Sequence, residues 1–307
     1  LLKVSKDGVN RVYFATGHQE RDPQSTDVNG YDTIRQVLES ENYQVSQWNA
    51  ATGQPVPQDA AVLVIAGPQS EYAPQELDAL RAYVAQGGRL LVMVEAGHAD
   101  PLGGFLQPYG LVLNDDVVID PAQAFFGDLV TPLVGSYTFH QITKDLSGAS
   151  TIFPTVRALT LVDPAPQGWL VTVLAQSSAD AWAEVAYREA QVQHDATEAA
   201  GPLALVAAVE PQGEPAGRGR LVVIGDSDLV ANNIVNSVRG VANVDLFMNA
   251  VGWLAEEDEL ISIRPKQYEA REVTLTSPQT RAVVYGNIIA VPLAVLAAGA
   301  LVWWRRR

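Results

Sequence analysis

Four loops of this chain carry side chains able to do chemistry together. They are Thr16-Gly17-His18-Gln19-Glu20, Gly67-Pro68-Gln69-Ser70, Glu95-Ala96-Gly97-His98 and Gly225-Asp226-Ser227-Asp228, and each follows a short apolar run. An imidazole beside a carboxylate moves protons near neutral pH, so His18, Glu20, Asp226 and Asp228 are the set a hydrolase would use, with or without a metal. Gln69, Ser70, Glu95, His98 and Ser227 complete the list of ligand-binding candidates. The plainer reading is that these groups cap the helices that follow, as Ser and Asp commonly do after a strand. That reading stands level with function for Asp226 and Ser227. For His18 and Glu20 it is weaker, because HQERD runs into a long polar loop where capping alone would not require them.

Several chemistries are excluded outright. The chain has no cysteine, so thiol nucleophiles, disulfides and Cys-type zinc sites are absent. Its 4 histidines are scattered without metal-ligand spacing. The serine of GDSD lacks the turn context of a GxSxG nucleophile, and no Gly-rich phosphate loop occurs. No catalytic residue, metal ligand or cofactor is therefore assigned. A formal net charge of -15 argues against nucleic acid as a partner, since phosphate neutralisation needs a basic face. Trp48, Trp169, Trp182 and Trp253 are expected to pack the core or its rim.

The elements that must position the loops follow from hydrophobic pattern. Arg11–Thr16, Gln44–Trp48, Ala61–Ala66, Arg89–Glu95, Pro202–Glu210 and Arg220–Ile224 read as strands, most of them continuous apolar runs buried on both faces. Tyr31–Glu41, Pro74–Gln86 and Asn243–Ala255 have helical periodicity, and Pro74 and Glu76 mark a helix start. Alternation of strand and helix predicts an α/β fold with a doubly wound, mostly parallel sheet, whose ligands bind beyond the carboxyl ends of the strands. Gly103–Tyr109 suggests a short helix and Val112–Ile119 another strand. Residues 121–200 read as an irregular or β-rich insertion, with strands at Trp169–Ala175 and Ala181–Ala186 and a polar loop over Arg188–Ala200.

The tail has a different character. Ala282–Trp304 carries no charge and is followed by Arg305, Arg306 and Arg307. A helix of this length spans a hydrocarbon core of roughly 30 Å, with Trp303 and Trp304 at the headgroups and the arginines on the cytoplasmic side. The alternative is a buried core helix. Gly286, Ala290, Ala294 and Ala298 form a small-residue stripe suited to close helix approach, or simply an Ala-rich span. The expected organisation is an extracytoplasmic α/β domain over 1–260, a linker over 261–281, a membrane helix over 282–304 and a basic tail over 305–307. The chain opens LLKVSKDGVN, without Met or a signal peptide, so an upstream portion is expected.

Longer motifs in order carry a resemblance. GHQE (Gly17–Glu20), LVIAGPQS (Leu63–Ser70), ELDALRAYVAQGGRLLVMVE (Glu76–Glu95), HQIT (His140–Thr143), SSADAWAE (Ser177–Glu184), GRLVVIGDSDLVANN (Gly219–Asn233) and NVDLFMNAVGWLAEEDELISIRPK (Asn243–Lys266) resemble the GldG-like auxiliary proteins of ABC transporters, whose founding member serves bacterial gliding motility. The resemblance covers nearly the whole chain. It implies a glutamine-amidotransferase-like (flavodoxin-like) α/β domain outside the cytoplasm, an ABC-type permease and ATPase as partners, and an N-terminal span ahead of the present start. It assigns no catalytic residue.

The expected function is a non-enzymatic, membrane-anchored accessory subunit of an ABC-type transport system. Its domain would bind a partner protein or an envelope ligand such as a glycan or peptide, and residues 282–304 would contact lipid. The alternatives are an extracytoplasmic hydrolase using His18, Glu20, Asp226 and Asp228, and a structural component of an envelope assembly.

Overall fold

The computed structural model describes residues 10–97, 99–188, 194–213, 219–255 and 303–306. The chain divides into two units, residues 1–266 and 267–307. The first contains every strand named below.

Its amino-terminal half alternates as the pattern predicts. Strand β1 (Arg11–Thr16) leads through a polar loop to helix α1 (Asp32–Ser40) and strand β2 (Gln44–Asn49). Strand β3 (Ala60–Ala66), helix α2 (Pro74–Ala85) and strand β4 (Arg89–Met93) follow. Pro74 opens α2, where its missing N–H costs nothing, and the Glu76 carboxylate accepts from the Ala73 amide at 2.6 Å. Ala73 has no side-chain acceptor to return the favour, so only half of a capping box forms.

The middle of the chain is built from short strands: β5 (Leu111–Leu113), β6 (Val117–Ile119), β7 (Ala124–Phe125), β8 (Asp128–Val134), β9 (Thr151–Ile152), β10 (Leu159–Leu161), β11 (Trp169–Gln176) and β12 (Trp182–Glu184). The last part returns to long apolar strands, β13 (Ala204–Pro211) and β14 (Arg220–Ile224), then helices α3 (Asn232–Ser237) and α4 (Asn243–Leu254).

The central sheet has nine strands in the order β2-β1-β3-β4-β14-β13-β10-β5, with β11 also paired to β13. From β2 to β14 every pairing is parallel. From β14 onward the pairings are antiparallel. The sheet is therefore mixed, parallel through the part that carries the site. Two small sheets, β12-β6 and β7-β8-β9, stand beside it.

Alternation along the buried strands supplies two cores. Val62 and Val64 of β3, Leu91 and Met93 of β4, and Val222 and Ile224 of β14 pack on one face with Ile34 and Leu38 of α1 and Leu246 and Phe247 of α4. Leu63, Ile65, Leu90, Val92, Leu221 and Val223 face the other way, against Leu77, Leu80 and Val84 of α2. Each continuous apolar run thus serves both layers, which is why it contains no polar position.

Two details differ from expectation. The short helix over Gly103–Tyr109 reduces to turns ending in one tight helical turn at Gln107–Tyr109, because Gly103 and Gly104 take positive φ of 51° and 74°. The strand expected in Val112–Ile119 splits into β5 and β6, which join different sheets. The membrane helix expected over 282–304 is a separate case, because almost all of it falls outside the described residues. Its residues 282–302, with Gly286, Ala290, Ala294 and Ala298, lie outside the described residues, as do the linker 261–281 and Arg307. Among the described residues no helix is long and apolar enough to cross a membrane.

Candidate functional site

The carboxyl ends of β1, β3, β4 and β14 are consecutive in the sheet, so the loops that follow them meet, as the parallel arrangement requires. Backbone contacts fix the meeting. The Arg21 amide donates to the Ala66 carbonyl and the Gly67 amide to the Met93 carbonyl, both at 2.8 Å. The Gln69 amide donates to the His18 carbonyl at 2.8 Å, and the Val94 amide to the Ile224 carbonyl at 3.0 Å. Gly67, at φ +62°, is the point of closest approach: a Cβ there would lie 2.4 Å from the Ser227 hydroxyl oxygen.

Two polar clusters form on this frame. The first is centred on Glu95. One carboxylate oxygen accepts from the backbone amides of Ser227 at 2.7 Å and Asp228 at 2.9 Å, and from the Ser227 hydroxyl. Arg21 closes the group. Its guanidinium pairs with Asp228 at 2.6 Å, lies 3.7 Å from Glu95 and donates to the Ser227 hydroxyl at 3.2 Å. The Tyr31 hydroxyl, from the residue just before α1, donates to the Ser227 carbonyl. Below it Asp226 is wholly buried. One of its oxygens accepts from the Leu229 amide at 3.1 Å, which caps the tight turn that follows, and the other has no partner.

Two carboxylates, Asp228 and Glu95, face the Arg21 guanidinium, a third, Asp226, is buried beside them, and the electrostatics follow. Burial, then the charges of Glu95 and Asp228, push the Asp226 carboxyl well above the ordinary carboxylate range. Burial and Asp228 raise Glu95, against the opposing pull of the Ser227 hydrogen bonds and Arg21. Tyr31 is raised well above its usual value, first by burial.

The second cluster lies around His18. Its Nε2 is 3.0 Å from Glu76 and its Nδ1 is 3.5 Å from Glu20. The imidazole stacks on the Tyr72 ring at 4.0 Å between centroids, and the Tyr72 hydroxyl donates to Glu20 at 2.5 Å. The other Glu20 oxygen accepts from the His18 amide at 2.7 Å. Burial raises the Tyr72 phenol, with Glu20 adding to it, so Tyr72 stays a neutral donor.

Of the sequence candidates, the structure brings Glu95, Ser227 and Asp228 together, with Asp226 beneath them. It brings His18 and Glu20 together separately. The contacts of His18 and Glu20 run to each other, to Tyr72 and to Glu76, and no hydrogen bond or ion pair joins them to Asp226 or Asp228 among the described residues. Gln69 contributes its backbone amide to His18 and turns its side chain onto the Gly67 carbonyl at 2.9 Å. Ser70 is exposed on the same loop. His98 lies outside the described residues. Among the described residues no group of His, Asp and Glu is arranged to hold a metal ion.

Five participants are not marked as site residues by the sequence pattern. Arg21 follows Glu20 in HQERD, and a lone arginine just past a strand end in an acidic chain was the available signal. The pattern marks Glu76 only as a helix-start residue and Tyr31 only as part of an apolar face, and nothing local marks Tyr72. Arg157, wholly buried, is held by main-chain carbonyls: it donates to those of Glu95, at 3.1 Å, and Asn114. Burial lowers its guanidinium from the usual value.

Comparison with known proteins adds three findings. The model of a family described as "ABC-type uncharacterized transport system" matches residues 10–250. No curated protein matches the chain. Among solved structures, the "mmIFT52 N-terminal domain" is similar with a TM-score of 0.57 at 16% identity, over 80% of this chain and 97% of that one. A putative ThuA-like protein from Bacteroides uniformis ATCC 8492 gives a TM-score of 0.50 at 14% identity, over 80% of this chain and 91% of that one. At such identities the likeness is one of fold.

Proposed function

Because the chain belongs to this ABC-type transport-system family and is by that name an auxiliary component, we propose that it is a non-enzymatic accessory subunit. Its α/β domain binds a partner protein or an envelope ligand, and its apolar tail anchors it in the membrane beside an ABC-type permease and ATPase. The GldG-like motifs favour the same assignment.

The observation that supports the non-enzymatic part is that most polar groups at the strand ends bond to one another, with only one Asp226 oxygen and His18 Nδ1 among the buried atoms of the two clusters lacking a hydrogen bond. Ser227 and Asp226 are wholly buried, and the Ser227 hydroxyl is held by Glu95 and Arg21. The imidazole of His18 lies between Glu20 and Glu76. A hydrolase needs a nucleophile or activated water within reach of a base and open to substrate. Here the groups that would supply it hold loops together, which supports a rigid binding platform.

Affinity isolation of the full chain in mild detergent tests the proposal. An ATPase and a permease should co-isolate in fixed ratio with it. A chain that remains alone and monomeric under those conditions overturns the reading.

A further inference from the structure

The hairpin β7–β8 departs from the rule that governs its own turn. Phe125 stands opposite Asp128, so Phe126 and Gly127 form a two-residue connection, and both have positive φ, 49° and 88°. A turn with two positive φ values favours Asn-Gly or Gly-Gly, because a bulky side chain crowds its own backbone there. The second position obeys the rule. The first holds a phenylalanine.

Within the described fold the Phe126 ring gains only a contact with its neighbour Phe125. Phe126 is 79% exposed and Leu129 is 45% exposed. The Phe126 ring meets the Phe125 ring edge-on, at 4.5 Å between centroids and 67° between planes. A residue that is locally unfavourable and also exposes an aromatic ring marks a place where another surface has decided the sequence.

Charge narrows the kind of surface. From Asn114 to Phe139 there is no Lys, Arg or His, while Asp115, Asp116, Asp120 and Asp128 all fall in this stretch. Of these Asp128, paired with Phe125 at the tip itself, is exposed. An anionic bilayer would repel such a hairpin. A protein pocket that is apolar inside and basic at its rim would accept it.

We propose that the Phe125–Phe126 hairpin is the docking tip by which this domain engages a protein partner, through an apolar pocket rimmed by basic side chains. The inference rests on the accessory-subunit reading and gives it a surface. The ring of Phe126 enters the pocket, Phe125 braces it from the side and Leu129 extends the contact.

The test exploits the opposite signs of two effects. Phe126→Asn restores the favoured Asn-Gly turn, so the variant of the full chain should melt at the same temperature as the wild type or higher. The same variant, co-produced with the membrane subunit of its transport system, should show affinity reduced about tenfold or more in mild detergent. Wild-type capture should also weaken as salt is raised. Equal capture by both proteins overturns the hairpin assignment and leaves the accessory reading intact. No capture of the wild type overturns both. Binding of neutral phosphatidylcholine vesicles that Phe126→Asn abolishes would make the target a lipid surface. Self-association abolished by the same change would make it a second copy. Either result overturns the proposal.

Discussion

The Glu95 carboxylate accepts the Ser227 backbone amide at 2.7 Å, and this contact ties the loop after β4 to the loop after β14. The same oxygen also receives the Asp228 amide at 2.9 Å. Glu95 is therefore the acceptor that organises a loop whose own side chains are acidic. Glu95→Ala would leave two main-chain donors unsatisfied, one of them on a wholly buried residue, and should destabilise the domain by about 2–3 kcal/mol. Urea unfolding of the full chain measures it; a loss below about 0.5 kcal/mol would contradict this role.

Asp226 sets a pH dependence of unusual sign. Its folded-state pKa is raised well above 3.8, and that of Glu95 is raised from 4.5. The folded protein therefore binds more protons than the unfolded chain once pH climbs above those ordinary values. The stability these two groups contribute is fully present below their unfolded pKa values and is lost as pH rises through the folded ones. Asp226→Asn removes the larger part, so the urea midpoint of the variant should fall less than that of the wild type between pH 4 and 7. Parallel curves for the two proteins would refute the assignment.

Arg21 is the cation that the Glu95 cluster relies on. Replacing it with Met keeps the length of the stem and removes the partner of Asp228 at 2.6 Å and the donor to Ser227 at 3.2 Å. The partial exposure of both charges moderates the loss, which should be about 1–3 kcal/mol by thermal or urea melting. The fall in stability from pH 4 to 7 should steepen as well, since Arg21 opposes the rise of Glu95. Recovery with Lys should be incomplete, because an ammonium lacks the fork that reaches Asp228 and Ser227 together.

Two glycines of similar φ separate backbone strain from crowding. Gly53, at φ +68°, has nothing within 4 Å of an added Cβ, while Gly67, at φ +62°, would meet the Ser227 oxygen at 2.4 Å. Gly53→Ala should cost about 1 kcal/mol from conformation alone. Gly67→Ala should cost about 2–4 kcal/mol, because its neighbour is tied to Glu95 and Arg21 and cannot step aside. Equal melting temperatures for the two variants would show that the loops yield.

Tyr72 offers a cut between ring and hydroxyl. Tyr72→Phe keeps the stack on His18 and deletes the 2.5 Å hydrogen bond to Glu20, for a loss of about 1–2 kcal/mol. Tyr72→Leu loses the stack too and should fall further. If the two melt together, the stack contributes nothing measurable.

The parallel part of the fold was legible because its strands are apolar without interruption and its helices show a face. The loops at the strand ends were legible for the same reason: once β1, β3, β4 and β14 are placed side by side, Glu95 and Ser227 have to meet. Strand direction beyond β14 was not, since ALVAAVEP and RLVVI look alike whichever way they run. A signal was available in the short link between β13, ending at Pro211, and β14, starting at Arg220, which leaves no room for a parallel crossover. The division of the candidates into two clusters was beyond pattern reading. It depends on Tyr72 and Glu76, which come from α2 and the loop before it, and on the rotamer His18 adopts between two carboxylates.

The strand order has a consequence for how the protein is made. β4 pairs with β3 on one side and with β14 on the other, yet β14 begins only at Arg220. During synthesis, the first four sheet strands therefore emerge long before the strand that flanks β4. Until then LLVM presents an unsatisfied, apolar rim, open to pairing with any extended chain nearby. The edge stays open for as long as the ribosome takes to reach β14, so the stretch from β5 to β13 is made while the sheet is still unfinished.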